Sequence, residues 1–382
     1  MQSKGTGYQQ ENAVKRILSG ILLFGSSLCL TAQAPELPKE VCREWLAGKG
    51  GRDVLVASCE NLQGEFAAAG WSGQGANGGE DIFLLLAGPD MENMRTHMIG
   101  RPGDDRANSI ANTFAGNFLV AGYSTKPPSK YPISKKYGGK KDGWLLFVNE
   151  AGKPEAELLR GGPDDDAFVA AFPLPKGGYL ACGYFGDQAW VVHFSDDGTV
   201  IWERKWKYHG LPTSIQHADL QEDGTLGMVG GVEDMNERNM LWTTLDADGN
   251  IESEYIFPKS EASGGGHVIA LPDGGWGISG YVEDPMLRLN GVFYQLNAKG
   301  VVQQYRSFGG READQLQSLS LLHDGSIALA GNSKSFIRGS RRDHAWLVLK
   351  QGDKWQEAYY GSKMDDSARF LGQKPCRIVH FT

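Results

Sequence analysis

The stretch Gly161–Trp202 reads GGPDDDAFVAAFPLPKGGYLACGYFGDQAWVVHFSDDGTVIW. A short apolar run follows Asp166, the pair Gly177-Gly178 interrupts it, and a second run ends in Cys182-Gly183. A third, aromatic and β-branched, covers Trp190–Phe194, and the tip Asp196-Asp197-Gly198 turns it into a fourth. Short runs separated by Gly and Asp turns are hairpin chemistry, so the stretch predicts four antiparallel strands, here called a to d.

The same unit recurs along the chain. A small residue followed by Gly closes strand b at Gly70, Gly122, Gly183, Gly230, Gly280 and Gly331, with intervals of 52, 61, 47, 50 and 51 residues. Six positions earlier stand Gly64, Gly116, Gly177, Gly224, Gly274 and Gly325, and four earlier Phe66, Phe118, Tyr179, Leu226, Trp276 and Ile327. Seventeen earlier stand Asp53, Asp105, Asp166, Thr213, Ser263 and Asp314. A fixed period of about fifty residues marks a repeat architecture. Four short strands per period, with no helical periodicity, predict an all-β chain built as a β-propeller of four-stranded blades. The glycines 64 to 325 of the a–b turns are expected at positive φ. The small residues before the anchors, Cys182 among them, are expected in the core.

The units run 53–104, 105–165, 166–212, 213–262, 263–313 and 314–365, with a partial unit at 366–382. Val41–Ala47 has the look of a last blade strand, and Gly361 with Asp365-Asp366 opens another unit. The favoured expectation is therefore six full units and an incomplete seventh, giving seven blades closed by the N-terminal strand. Six blades is the alternative. The tail from Arg369 loses the pattern, which raises the expectation of a truncated or frameshifted longer protein.

The pattern resembles the fifty-residue repeat of secreted bacterial β-propellers of Bacteroidetes-like envelope proteins. It is matched by Asp187-Gln188-Ala189-Trp190-Val191-Val192, by Gly198 with Trp202, by Gly161-Gly162 with Asp166, and by Gly177-Gly178-Tyr179 with Gly183. The resemblance covers about residues 48–366 and implies an exported protein of the repeat-containing or binding type.

Residues 1–34 read as a signal peptide. Lys15-Arg16 precede an apolar run from Ile17 to Leu30, and Ala32-Gln33-Ala34 is a cleavage pattern. The run is short for a membrane span. The expectation is an exported propeller domain, 35–382, soluble and monomeric in the periplasm, on the outer surface or outside the cell. Of the full chain's 382 residues, 52 are Gly, and the formal charge is -8. Removing residues 1–34 leaves 35 basic and 45 acidic side chains, a charge of -10, which argues against a nucleic-acid partner. Cys42, Cys59, Cys182 and Cys376 remain, with three complete pairings open and no zinc spacing.

Candidate binding residues come from loop lengths. From the strand b anchor to the strand c aromatic takes 13, 22, 7, 12, 13 and 15 residues, whereas most other connections are nearly constant. The b–c and d–a loops share one face of an up-and-down blade, and variable loops on a rigid scaffold carry binding. Two b–c loops are basic: Ser124–Lys141, with Lys126, Lys130, Lys135 and Lys136, and Asn332–Arg342, with Arg338, Arg341 and Arg342. With Tyr131 and Tyr137 available for stacking, they suggest an anionic glycan or an envelope protein as partner.

No cofactor is expected. The Asp set and Asp246-Ala247-Asp248-Gly249-Asn250 admit calcium, but turn chemistry is the better reading of both. The eight His residues show no catalytic or metal spacing, and no H-E-x-x-H, G-x-S-x-G or P-loop occurs. The chain is expected to bind rather than catalyse. A propeller hydrolase or lyase acting on polysaccharide is the alternative.

Overall fold

A computed structural model describes residues 52–360, apart from 62, 76–78, 90–91, 126–139, 236, 258–262, 285, 287, 323 and 337–341. Twenty-four strands follow in chain order. The first blade holds β1 (Asp53–Glu60), β2 (Phe66–Ser72), β3 (Asp81–Ala87) and β4 (Arg95–Ile99). The second holds β5 (Asp105–Asn112), β6 (Phe118–Ser124), β7 (Asp142–Val148) and β8 (Pro154–Arg160). The third holds β9 (Asp166–Pro173), β10 (Tyr179–Phe185), β11 (Gln188–Phe194) and β12 (Val200–Trp206). The fourth holds β13 (Thr213–Leu220), β14 (Leu226–Asp234), β15 (Glu237–Leu245) and β16 (Ile251–Ile256). The fifth holds β17 (Ser263–Ala270), β18 (Trp276–Glu283), β19 (Leu289–Leu296) and β20 (Val302–Phe308). The sixth holds β21 (Asp314–Leu321), β22 (Ile327–Ser333), β23 (His344–Gln351) and β24 (Lys354–Tyr360).

Each blade is an antiparallel sheet in sequence order, with its a strand at one edge. Neighbouring blades pack in chain order through those edges, β1 on β5, β5 on β9, β9 on β13, β13 on β17 and β17 on β21. The a strands therefore surround the central channel, and the apolar core lies in the seams between blades. One seam joins Ile82, Leu84, Ala107 and Phe118, and the next joins Leu119, Leu145, Phe168 and Trp190.

The structure corrects the expected blade number from seven to six. Among the described residues every unit supplies all four of its own strands, and the first blade is a four-stranded sheet of β1–β4. The Gly…Asp signature that suggested a seventh unit belongs to the d–a connection. It stands before β5, β9 and β21, whereas Thr213 and Ser263 open β13 and β17 without it. Val41–Ala47 and 361–382 lie outside the described residues.

Two glycine positions have separate physical causes. The a–b turn glycines all take positive φ, from 78° at Gly274 to 94° at Gly177. The anchor glycines answer to something the sequence does not spell. Strand a carries a β-bulge at one place in every blade, as between Ala107 and Ser109 or Ile215 and His217. The bulge tips a strand-a carbonyl over the anchor. A Cβ on Gly122 would lie 1.9 Å from the Arg106 oxygen, and one on Gly230 would lie 2.0 Å from the Ser214 oxygen. Only Gly fits there. The preceding small residues, Ala69, Ala121, Cys182, Val229, Ser279 and Ala330, are all buried, as expected.

Cys182 packs in the seam of the third and fourth blades, and burial pushes its thiol up to about 12. Cys59 and Cys182 are free thiols, so neither enters a bridge. Cys42 and Cys376 lie outside the described residues.

Candidate functional site

The two faces of the ring differ. On one, all six a–b turns and the c–d turns of the second to fifth blades repeat a single device: the Gly N–H closes onto a carbonyl three residues back, as from Gly116 to Thr113, Gly224 to Gln221, Gly198 to Ser195 and Gly300 to Asn297. Asp246 belongs to this set. Its Oδ1 accepts from Asp248 N at 3.0 Å and Asn250 N at 2.7 Å, which is turn chemistry. The opposite face carries the b–c and d–a loops.

Just below that second face lies a buried polar row. In the second blade the register aligns Asp105, Ser124 and Asp142, and in the sixth Asp314, Ser333 and His344. The Asp at the start of strand a ties down the d–a loop. Asp166 Oδ2 accepts from Gly162 N at 2.5 Å and its Oδ1 from Gly186 N at 2.8 Å, while Asp314 Oδ2 accepts from Gly310 N at 2.8 Å. Asp105 accepts from Arg101 N in the same way. Where Asp is absent a hydroxyl stands: Thr213 Oγ1 accepts from Tyr208 N of the d–a loop at 2.8 Å, whereas Ser263 Oγ accepts from Met240 N of β15 at 2.9 Å. These side chains are structural. Burial raises the Asp105 and Asp166 carboxyls, and burial followed by the charge of Asp166 pushes Asp142 up to about 6.

A different arrangement occupies the channel wall of the fourth and fifth blades. The bulge of β13 presents Gln216 and His217 toward β17. With its amide oriented to satisfy both neighbours, Gln216 donates to Gly265 O and accepts from Arg238 Nη2 at 2.6 Å. His217 Nδ1 accepts from Val268 N at 3.3 Å, and Asp219 Oδ2 from Ala270 N at 2.8 Å. These are inner-edge N–H groups of β17, where no further strand pairs. The imidazole of His217 stacks on that of His267, centroids 3.5 Å apart and planes at 26°. Burial pulls His217 down to about 4, and burial together with His217 pulls His267 well below its ordinary value, so both rings are neutral at neutral pH. Burial raises the Asp219 carboxyl.

Arg238 stands at the loop-side end of this wall. Its guanidinium lies over Gly231, where a Cβ would come 2.3 Å from Nε. Nη2 also reaches Ser214 Oγ at 3.3 Å. Its cross-strand neighbour Glu233 is exposed, yet among the described residues Arg238 forms no ion pair with it or with any other carboxylate.

Of the residues expected to bind ligand, Arg342 is described, exposed two residues before the sixth blade's strand c. Lys126, Lys130, Tyr131, Lys135, Lys136, Tyr137, Arg338 and Arg341 lie outside the described residues. The flanking Lys141 pairs with Asp165 at 3.5 Å and sits over the Tyr123 ring. Among the described residues no group of three His, Cys, Asp or Glu side chains could hold a metal ion. The channel histidines escaped the sequence reading, which took His residues by local spacing. The signal lay in the repeat frame: His217 and His267 each stand four residues after their unit's first strand residue, Thr213 or Ser263.

No protein-family model matches the chain, and no curated protein is similar in sequence. Among solved structures, a polysaccharide lyase described as a PL25 ulvan lyase superposes with a TM-score of 0.54 at 8% identity, over 80% of this chain and 83% of that one. A puromycin hydrolase gives 0.50 at 13% identity, over 85% of this chain, which spans 49% of that protein. A protein of unknown function from Dyadobacter fermentans gives 0.44 at 11% identity, over 80% and 93% of the two chains. At such identities the likeness is one of fold, the β-propeller.

Proposed function

We propose that the chain is an exported β-propeller that acts by binding, and that it recognises an anionic glycan on the face of its b–c and d–a loops. The observation that carries this reading is the asymmetry of the two faces. One face repeats a single tight turn, which fixes the scaffold and offers little to distinguish one ligand from another. The other joins strands b and c through connections of unequal length, two of which, 124–141 and 332–342, are basic in sequence within a chain of negative charge. A glycan panel should show saturable binding of acidic over neutral polysaccharides. Combined Lys126→Glu, Lys130→Glu and Arg342→Glu substitutions should weaken that binding at least ~tenfold at low salt. Equal binding by this variant and the wild type defeats the reading.

One observation favours the alternative of a polysaccharide lyase or hydrolase: two neutral imidazoles on the channel wall, where a base could meet a bound chain. Accumulation of cleaved product from an acidic polysaccharide, lost in His217→Gln and His267→Gln, would establish catalysis over simple binding.

A further inference from the structure

We propose that the channel wall between the fourth and fifth blades is the subsite for the carboxylate of an acidic sugar, with Arg238 supplying a fixed positive charge and the stacked His217–His267 pair taking up one proton from solvent as the ligand enters. The inference rests on the reading of the protein as a binder of anionic glycans and names the group recognised.

The first support is the state of Arg238. A guanidinium normally pairs with a nearby carboxylate, and Glu233 stands directly across the hairpin. Arg238 instead turns over Gly231, the one residue there with no side chain to block it, and is held by Ser214 and Gln216 through Nη2 alone. Its Nε is buried with no acceptor among the described residues. Two neutral anchors position the fork and leave its charge uncompensated, which suits a ligand carboxylate.

The second support is continuity. Gln216 and His217 are consecutive, and both reach β17 on the same side, Gln216 at Gly265 O and His217 at Val268 N. The Arg238 anchor and the imidazole stack therefore belong to one wall. His217 Nδ1 is an acceptor for Val268 N–H, which places that ring's proton on Nε2. His267 Nδ1 is buried without a partner among the described residues.

The third support is charge. Two rings 3.5 Å apart cannot both be cationic, and while the site is free the buried surroundings keep both neutral. An entering carboxylate adds a negative charge and makes one imidazolium favourable. The balance is one ligand anion and one solvent proton bound together, with no covalent change. The other charged groups on these elements are accounted for. Asp219 accepts from Ala270 N and Leu220 N. On β17 the only titratable side chain is His267, and on β14 and β15 Glu233 lies across from Arg238, with Asp234 and Glu237 at the hairpin tip beyond it. Asp314 of β21 is spent on Gly310 N, Ser333 and Ser335.

The test is calorimetric titration of the full protein with trigalacturonate, maltotriose serving as the uncharged control. It is run in two buffers of different ionisation enthalpy, at about pH 5.5 and about pH 7.5, on either side of the ordinary His value. The expected result is binding of trigalacturonate alone, about one proton taken up per ligand, and ~fivefold or greater tightening at the lower pH. Arg238→Met should weaken binding ~tenfold or more at both pH values. His267→Gln should lose the proton uptake and the pH dependence, with the larger loss of affinity at the lower pH. Circular dichroism melts confirm that both variants fold. Wild-type binding without proton uptake, unaffected by Arg238→Met, overturns the inference. If the Lys126, Lys130 and Arg342 variant abolishes binding while the Arg238 and His267 variants do not, the inference fails and the broader reading stands. Failure of the wild type to bind trigalacturonate, while it binds other acidic glycans, also overturns the inference alone.

Discussion

The seams joining the first three blades and the wall joining the fourth to the fifth are built on one frame and carry opposite chemistry. In the first, buried carboxyls stand at the loop-side end: Asp105 and Asp142 in one blade, with Asp166 opening the next. In the second, Thr213, Asn239 and Ser263 occupy the buried row, and ionisable groups appear farther down the channel as His217, His267 and Asp219. Asp105 and Asp166 have a structural task that can be seen atom by atom: they accept Arg101 N and Gly162 N of the d–a loops, and Asp166 also accepts Gly186 N of a b–c turn. The Arg238–His wall closes no loop. Gln216, His217 and Asp219 of that wall join the fourth blade to the fifth, while the Arg238 charge has no ion pair among the described residues, and it is there that the departure from the shared frame points to a candidate function.

The largest expected effect tests whether the frame really is shared. Gly122→Ala and Gly230→Ala each drive a Cβ to about 2 Å from a backbone oxygen that cannot move without undoing the bulge. Each should cost ~3 kcal/mol or more in urea unfolding, or prevent folding altogether. A tolerated substitution at one site and not the other would mean that the two regions do not share the bulge geometry.

Next in size is the loop tie. Asp166→Ala removes the acceptor of both Gly162 N and Gly186 N inside a seam, and Thr213→Ala removes the acceptor of Tyr208 N alone. At ~1–3 kcal/mol per stranded buried donor, the first should cost about twice the second in the same unfolding assay. Equal costs would show that the carboxylate and hydroxyl versions of the tie are energetically equivalent.

The blade, its four strands and its turn glycines were legible because each rests on local chemistry that repeats. A Gly at positive φ, a β-branched strand c and an Asp ahead of strand a recur at fixed offsets. The blade count was not, because the Gly…Asp signature marks a connection and connections do not reveal how a ring closes. The channel site was also hidden. Its members, Arg238, Gln216, His217 and His267, come from three strands of two blades and make no local motif. Only the bulge places Gln216 and His217 on one side, and the bulge has no sequence signature beyond the anchor Gly it imposes.

The comparison sharpens in its pH dependence, where the two regions have opposite signs. Asp142 has a folded value of about 6, above its ordinary one, so its contribution to stability is full at about pH 3 and is lost as the pH rises through about 6. Asn stands at the corresponding place in the fifth blade as Asn290. Asp142→Asn should therefore stabilise the protein on the order of 2 kcal/mol at about pH 8 and leave it unchanged near pH 4. Melts at the two pH values check this. A gain equal at both would assign the effect to packing instead of charge.

The smallest expected effect lies in the channel and runs the other way. His267 is held well below its ordinary value, so the stability associated with its neutral form is full above that value and is lost as the pH falls below it. His217, at about 4, sets the lower end of the window for the pair. His267→Gln removes one of the two rings, and its Nδ1 has no partner among the described residues to lose. Little change is expected near pH 7.5, and a reduced sensitivity to acid between about pH 6 and pH 4. In the double variant Asp142→Asn/His267→Gln the two flattenings should add, since they act in different seams with no shared partner. A sum smaller than its parts would mean that the loop-side acids and the channel imidazoles titrate as one system. Protonation at the channel wall would then be felt in the seams of the first three blades.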